Sequence, residues 1–352
     1  MEILYVIFFF GLFIFSGLIN FLLLRFARTL GIRNKNEVIR WSKTAKPSLG
    51  GINFYICFLL SLIAVSFILQ GTNLFLNIQI LGIVFASTVG FMLGLFDDAF
   101  NTKPIIKLLS QFLAAFILIS SGLYIHFFDN MMLNYIITFI WIVGIMNSIN
   151  MLDNMDAVST LASLGVFLTV LSFIFFNGNW ESVDFIIILG TTAALFAFLI
   201  FNWFPSKMFM GDTGSQFLGV LLAAYGIKYI LNFDFGYESF SQYKNLLSLD
   251  LAFILPISDT ITVFYKRIAK GKSPFIGGKD HTTHHLSYLG LKDSIVAWIF
   301  TAIILISIFL NNYFMLFSTN QSLTLFIIIL VFTFTVFISL FIIANKNKNK
   351  EI

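Results

Sequence analysis

Eleven apolar runs, separated by polar or Gly/Pro-containing breaks, constrain this chain more than any other feature. They fall at about 3–24, 53–70, 78–96, 108–124, 133–149, 161–176, 185–201, 214–231, 249–265, 295–313 and 322–344. A bilayer core of about 30 Å is crossed by roughly 20 residues at about 1.5 Å each. In hydrocarbon every backbone amide must find an internal partner, so runs of this kind form helices. The expected fold is an all-α polytopic membrane protein with about eleven transmembrane helices. Only 11% of the residues are charged and 59% are hydrophobic, whereas soluble domains carry about 25% charged residues. A water-soluble globule is excluded.

The basic residues orient the chain. If the connecting loops alternate sides, one side holds Arg25, Arg28, Arg33, Lys35, Arg40, Lys43 and Lys46 in the loop at 25–52. It also holds Lys103, Lys107, Lys207, the six basic residues of the loop at 266–294, and Lys346, Lys348 and Lys350. That side takes 19 of the 21 Lys and Arg, leaving Lys228 and Lys244 for the other. Basic loops stay in the cytoplasm, so the N-terminus is expected outside and the C-terminus inside, in a cytoplasmic (inner) membrane. The formal charge of +4 thus reflects topology, and no nucleic-acid partner is expected.

We expect one transmembrane domain over 1–344 and a short polar tail over 345–352 that attracts anionic lipid weakly. The first 24 residues lack a basic start and a small-residue cleavage site, and read as a span rather than a signal peptide. Cys57 is the only cysteine, which excludes a disulfide framework and reads as a small core residue.

Polar segments fall where the spans end on the basic side. GLFDDAFNTK carries Asp97 and Asp98; NSINMLDNMDAVS carries Asn147, Asn150, Asp153 and Asp156; FNWFPSKMFMGDTGS carries Asn202, Lys207 and Asp212; SPFIGGKDHTTHHLSYLG carries Asp280, His281, His284 and His285. Each alone has a simpler account: an acid pair can cap a helix, Asp153 and Asp156 can share one exposed helical face, Asp212 can cap the helix after it, and the histidines can be interfacial. Their coincidence on one side points instead to a carboxylate-rich pocket edged by lysines and histidines. Hard cations such as Mg²⁺ prefer carboxylate oxygens and bridge to substrate phosphates. Adjacent carboxylates repel, which a cation relieves or which makes one of them a general base. Other acids, such as Glu2, Asp129, Glu181, Asp184, Asp234 and Glu238, mostly fall in loops on the opposite side and read as solvated charge.

KPSLGG (46–51), GLFDDAFNTK (94–103), NSINMLDNMD (147–156), FNWFPSKMFMGDTGS (201–215) and DHTTHHLSYLG (280–290) resemble, in order and spacing, the signatures of the polyprenyl-phosphate N-acetylhexosamine-1-phosphate transferases. These include the undecaprenyl-phosphate GlcNAc-1-phosphate transferases and, as cousins, the phospho-MurNAc-pentapeptide transferases. The resemblance implies transfer of N-acetylhexosamine-1-phosphate, GlcNAc-1-phosphate above all, from a UDP-sugar to polyprenyl (undecaprenyl) phosphate. UMP is released with Mg²⁺, which Mn²⁺ can replace, and the product starts a cell-envelope glycan. By the same resemblance Asp97, with Asp98 beside it, activates the lipid phosphate. Asp212, with Asp98, holds the metal. Lys46, Asn147, Asn150, Asp153, Asp156, Asn202 and Lys207 bind substrate, and His281, His284 and His285 approach the diphosphate. A homodimer is left open.

Two departures stand out. Where the family has D-G-x-D-G this chain has Asp153-Asn154-Met155-Asp156-Ala157. Asn tolerates positive φ, but Ala does so poorly, so the shape of the nucleotide pocket is the feature expected to change. The histidine segment also differs from the triple-histidine run of the peptidoglycan-precursor enzymes, against a MurNAc-pentapeptide substrate. Two other readings compete. A transporter would place its ionisable groups near the midplane, whereas these sit at span ends. A catalytically idle relative would have no use for Asp97, Asp98 and Asp212.

Overall fold

A computed structural model describes residues 2–27, 46–70, 76–234, 241–273, 278–316 and 322–346. The basic cluster from Arg28 to Lys43 and the end of the tail lie outside the described residues, and Lys346 ends a helix instead of opening a polar tail. The elements are α1 (Glu2–Ala27), α2 (Gly50–Ile68), α3 (Ile78–Phe100), α4 (Pro104–Ser120), α5 (Met131–Leu152), α6 (Val158–Phe176), α7 (Val183–Asn202), α8 (Gly211–Gly226), α9 (Ser241–Ala252), α10 (Ile254–Ala269), α11 (Thr282–Tyr288), α12 (Asp293–Leu316) and α13 (Ser322–Lys346). Extended pairing among the described residues is confined to one bridge, Ser48 to Phe209.

Among these, nine helices are long and apolar enough to cross a membrane, or ten if the bent pair α9 and α10 is one span. The fold is therefore the expected polytopic helical one, with a lower count by length than eleven. Two local causes account for the difference. Pro256 sits in the first turn of α10, where it cannot donate to the preceding turn, and the chain bends by 80° between α9 and α10. In α4 the apolar run continues to Tyr124, but the helix stops at Ser120 because Gly122 takes φ 82°. The Gly122 amide then reaches the Ile119 carbonyl at 2.9 Å and the Leu123 amide reaches that of Leu118 at 3.0 Å, a glycine-terminated helix end.

Burial sorts the helices into layers. In α1 and α13 only 17% of the spanning window is buried, and residues such as Phe10, Ile14, Phe21, Val331 and Phe334 face outward. In α8 the figure is 89%, so α8 is the axis of the bundle and its neighbours form the first ring around it. Lipid offers no hydrophobic drive between helices, so close packing depends on small residues, and α8 is rich in them. A Cβ on Gly94 of α3 would lie 2.1 Å from the Asp212 carbonyl oxygen, and one on Gly51 of α2 would lie 2.2 Å from the Gly214 amide nitrogen. One turn below Gly94, Gly90 faces the Gln216 carbonyl in the same way.

The polar segments gather at one end of this bundle. They occupy the starts of α2, α4, α6, α8 and α12 and the ends of α3, α5, α7 and α10. At the other end Asn232 accepts from the His126 amide at 3.0 Å and donates to the Tyr124 carbonyl at 2.7 Å. Asp184, expected as solvated charge, is buried there instead, 2.5 Å from Lys228 Nζ and 2.6 Å from the Tyr229 hydroxyl.

Gly94→Ala should lower the thermal midpoint and the yield of monodisperse protein, because its Cβ meets backbone that cannot turn aside; overpacking of this kind costs about 1–3 kcal/mol or more. Gly144→Ala on α5, with nothing within 4 Å of the added atom, is the control. Equal behaviour of the two variants would show that the α3–α8 contact tolerates separation.

Candidate active site at one end of the bundle

The first turn of α8 is the centre of the site. Gly211, at φ 73°, turns the chain into the helix in a conformation only glycine adopts freely. A Cβ there would lie 2.6 Å from Asp98 Oδ2. Asp98 reaches over from α3 to cap that turn. Its Oδ1 accepts from the Asp212 amide at 3.1 Å, and its Oδ2 accepts from the Thr213 amide at 2.9 Å and the Thr213 hydroxyl at 2.6 Å. These are donors that a helix N-terminus otherwise leaves unsatisfied, and a carboxylate there also opposes the positive end of the helix dipole.

Asp97 and Asp212 face each other across Lys107. Lys107 Nζ pairs with Asp97 Oδ2 and with Asp212 Oδ2, the latter at 3.1 Å. Asp97 Oδ1 accepts from the Thr102 amide at 2.8 Å and its hydroxyl at 2.6 Å. Asn150 donates to Asp212 Oδ1 at 2.9 Å and to the Ser215 hydroxyl at 2.9 Å. Asn147 lies one turn earlier on α5 and pairs with Gln111 of α4, which also donates to Gln216 of α8 at 3.2 Å. Two carboxylates, Asp97 and Asp212, thus share one lysine, with the third, Asp98, engaged beside them at the α8 turn, and one oxygen of each of the sharing pair converges on a single cation position.

A second cluster lies where the loop at 46–49 crosses the loop after α7. The Phe209 amide donates to the Pro47 carbonyl at 3.0 Å, and the Gly50 and Gly51 amides donate to the Phe209 and Met210 carbonyls at 3.1 and 3.0 Å. This places Lys46 Nζ 3.3 Å from Asp156 Oδ2, 2.9 Å from the Ser206 hydroxyl and 5.0 Å from the Phe209 ring centroid. Asp156 also accepts from the Ser206 amide and hydroxyl at 2.8 and 2.7 Å. Asn202 is structural in its contacts: it accepts from the Ala157 amide at 3.1 Å and the Thr160 hydroxyl at 2.8 Å and donates to the Met208 carbonyl at 3.0 Å. Lys207 is exposed at the rim.

The atypical turn reverses one expectation. Asn154 does not take positive φ; Ala157 does, at 68°. The family glycine lost at this position is the one whose conformation the fold needs, and this chain keeps that conformation with a buried methyl packed beside Leu161 and Ala297. Asn154 instead accepts from the Thr283 hydroxyl at 2.7 Å, tying the histidine segment to the turn.

That segment is held from α10. Arg267 binds Asp280 with two nitrogens at 2.8 and 2.6 Å, Lys266 Nζ lies 2.6 Å from His285 Nε2 and 2.8 Å from the Ala344 carbonyl, and His281 Nδ1 lies 2.8 Å from Asp259 Oδ2. Burial pushes the Asp280 carboxyl up, but the Arg267 guanidinium overrides it and holds it below the usual carboxylate range. Burial, and then the neighbouring His281, push His284 down to about 3, so His284 is neutral at pH 7 and offers a diphosphate no charge.

Sequence reasoning missed several members. Lys107 and Arg267 were counted only as topology signals, and Gln111, Gln216, Thr213 and Ser206 carry no pattern of their own. Asp259 had a signal that went unused, an acid in the middle of an apolar run, which marks a functional site by default. Among the described residues no three carboxylate, histidine or cysteine side chains form a complete metal-ligand set. The Asp97–Asp212 oxygens supply two hard donors, and Mg²⁺ ordinarily completes its shell with water and substrate phosphates, so these residues fit that ion.

A many-helix membrane protein with carboxylate, lysine and histidine clusters at one end of its spans is the class this architecture defines. Comparison with known proteins makes it specific. The glycosyl transferase family 4 model matches residues 80–230. The phospho-N-acetylmuramoyl-pentapeptide-transferase of Streptococcus uberis is 30% identical over 284 residues, covering 73% of this chain and 79% of that protein. The probable undecaprenyl-phosphate N-acetylglucosaminyl 1-phosphate transferase of Bacillus subtilis is 27% identical over 255 residues, covering 70% and 67%. The Prochlorococcus marinus phospho-N-acetylmuramoyl-pentapeptide-transferase is 26% identical over 315 residues, covering 80% and 83%. The chain belongs to this family of multi-pass membrane transferases, the polyprenyl-phosphate hexosamine-1-phosphate transferases.

Two outcomes follow from the site's geometry. Ala157→Gly should leave the protein folded and slightly more stable, since left-handed backbone costs an L-residue about 1–2 kcal/mol and the lost methyl returns about 0.8 kcal/mol of that; a large drop in thermal midpoint would contradict it. The depressed His284 contributes stability that is complete above pH 6.5 and is lost as pH falls toward 3, because the unfolded chain binds the proton first. The thermal midpoint should therefore fall across that window, and His284→Gln should flatten the slope; an unchanged slope would assign the acid sensitivity elsewhere.

Proposed function

We propose that this protein transfers N-acetylhexosamine-1-phosphate, most specifically GlcNAc-1-phosphate, from a UDP-sugar to undecaprenyl or a similar polyprenyl phosphate and releases UMP. It does so as a single transmembrane domain of the cytoplasmic membrane with the cleft on the cytoplasmic face, the N-terminus outside and the C-terminus inside. The distribution of basic residues supports that orientation, and the gathering of the polar segments at one end supports the common cleft. The observation that carries the reading is the Asp97–Lys107–Asp212 bridge at the site end of the bundle, where α8 begins. Three carboxylates against one lysine leave an excess of negative charge, which suits a divalent cation and, through it, phosphate oxygens.

Phosphoryl-type transfer depends chiefly on positioning and charge neutralisation. Asp212 would hold Mg²⁺ together with Asp97 rather than the expected Asp98, whose two oxygens are engaged at the α8 turn; the ion would supply charge neutralisation at the donor diphosphate. Asp97, flanked by Thr102 and Lys107, accepts the proton of the lipid phosphate or orients it. Asp98 acts through α8: its two oxygens fix the turn that carries Asp212. Asn150 fixes the other Asp212 oxygen, and Asn147 fixes the α4–α5 contact beneath it. Lys46, Asp153 and Asp156 form the nucleotide side, with Lys207 at the rim and Asn202 bracing the turn. His281 approaches the diphosphate, while His285 and His284 support it. The departures in the histidine segment support UDP-GlcNAc over UDP-MurNAc-pentapeptide as donor.

Purified protein with undecaprenyl phosphate should release UMP from UDP-GlcNAc in Mg²⁺ and not after chelation. Asp212→Asn should lower kcat about 10²–10³-fold, the loss typical of removing one preorganised charge-stabilising group. Release only from UDP-MurNAc-pentapeptide would move the protein to the other branch of its family. Near-normal activity of Asp212→Asn would remove Asp212 from the metal site.

A further inference from the structure

Asp259 lies on α10, is 1% exposed, and has three donors converging on it. Its Oδ1 accepts from the Thr282 amide at 2.8 Å and the Thr282 hydroxyl at 2.7 Å, and its Oδ2 faces His281 Nδ1 at 2.8 Å. A carboxylate engaged in this way accepts only, so Nδ1 carries the hydrogen and Nε2, on the opposite edge of the ring, is the nitrogen left to exchange a proton. The described residues give Nε2 no hydrogen-bond partner. The same two contacts lock the backbone at the residue after His281, so the ring is fixed in both orientation and tautomer. Two further links hold the segment: Asp280 to Arg267 and Thr283 to Asn154.

We propose that Asp259 is a positioning residue for the transfer reaction: it holds His281 as the Nδ1–H tautomer, so that the ring meets the donor diphosphate through Nε2. The inference rests on the reading of His281 as a diphosphate-facing residue. In the protonated ring the Nε2 hydrogen is donated to a phosphate oxygen and remains on nitrogen, so no bond is made or broken by this contact. Orientation of an imidazole by a buried carboxylate has this effect elsewhere: removing the carboxylate's charge inverts the tautomer and activity falls although the ring remains. The charged and titratable groups around His281 are Asp259, Lys266 and Arg267 on α10, Asp280 in its own loop, His284 and His285 on α11, and Asp293 at the start of α12. Of these, among the described residues, Asp259 is the one hydrogen-bonded to the His281 ring.

The test uses the full-length protein and UMP release from UDP-GlcNAc. Asp259→Asn keeps the shape but presents an amide N–H to Nδ1. It should lower kcat about 10–100-fold, the usual cost of losing an orienting partner of this kind, with KM for UDP-GlcNAc nearly unchanged. In a His281→Gln background the same substitution should cost nothing further, because residues acting as a unit are not additive. Additive losses, or a fall in kcat matched by an equal rise in KM, would overturn the proposal. A second readout does not depend on activity or on a variant that folds: ¹⁵N-histidine spectra of the wild-type protein in detergent should show His281 protonated at Nδ1, and an Nε2–H neutral tautomer would overturn it. A wild-type protein that released no UMP from any UDP-sugar but showed the Nδ1–H tautomer would refute the proposed function while leaving the Asp259–His281 pairing in place.

Discussion

Everything in the cleft is measured from the first turn of α8, and that turn is where two other helices approach as closely as backbone permits. Gly94 of α3 lies against the Asp212 carbonyl and Gly51 of α2 against Thr213 and Gly214. Because side chains are absent at these crossings, the α3 carboxylates reach the α8 amides directly. Asp98 could not accept from both the Asp212 and Thr213 amides if a β-carbon held the helices apart. The same approach sets Asp97 one residue away, on the side where Lys107 joins it to Asp212. Packing and electrostatics are therefore one constraint: glycine makes the contact close, and closeness brings three carboxylates together around two that share one lysine. Burying like charges together is costly unless cations relieve it, which is the physical reason such a site invites a metal and phosphates.

The two ends of the bundle treat charge differently. At the site end the carboxylates outnumber the cation that joins them. At the far end Asp184 is closed off by Lys228 and Tyr229, a locally neutral arrangement within a π-helical turn at Ile227–Leu231. Such turns are rare and widen the helix by one residue, and this one carries both partners of Asp184. The far end thus fastens α7 to α8, while the near end keeps uncompensated charge at the cleft.

Much of this was legible in the sequence because membranes impose simple rules. Span existence follows from apolar length, and the polar segments stand out against so apolar a background; the residues they carry, Lys46, Asp97, Asp156, Asp212 and His281 among them, lie in networks that run between helices. What was not legible has local causes. Counting apolar residues cannot see that Gly122 ends α4 before the run is over, or that Pro256 bends a span. The acid of α8's cap was readable as an acid but not as a cap, since its partners lie 114 and 115 residues away. Asp184 was misplaced because a charge beside a loop looks solvated until the opposite helix supplies its lysine. At the D-N-M-D-A turn the sequence marks two missing glycines equally, yet only Ala157 occupies left-handed space.

The break between α9 and α10 has a consequence at the other end of α10. An 80° bend sets the direction in which α10 leaves the core, and Asp259, Lys266 and Arg267 then fall at i, i+7 and i+8, on one helical face. Each engages the histidine segment: Asp259 at His281 and Thr282, Arg267 at Asp280, and Lys266 at His285. A segment that is mostly loop and a seven-residue helix has little packing of its own to fix it, so its side chains are only as well placed as the helix that carries their partners. Lys266 extends the connection to α13 through the Ala344 carbonyl, bringing a largely lipid-facing helix into the support of the cleft. His281 is thus tied, through Asp259 one turn after Pro256, to the break between α9 and α10, so that a break that looks like an interruption of a span is part of the site's construction.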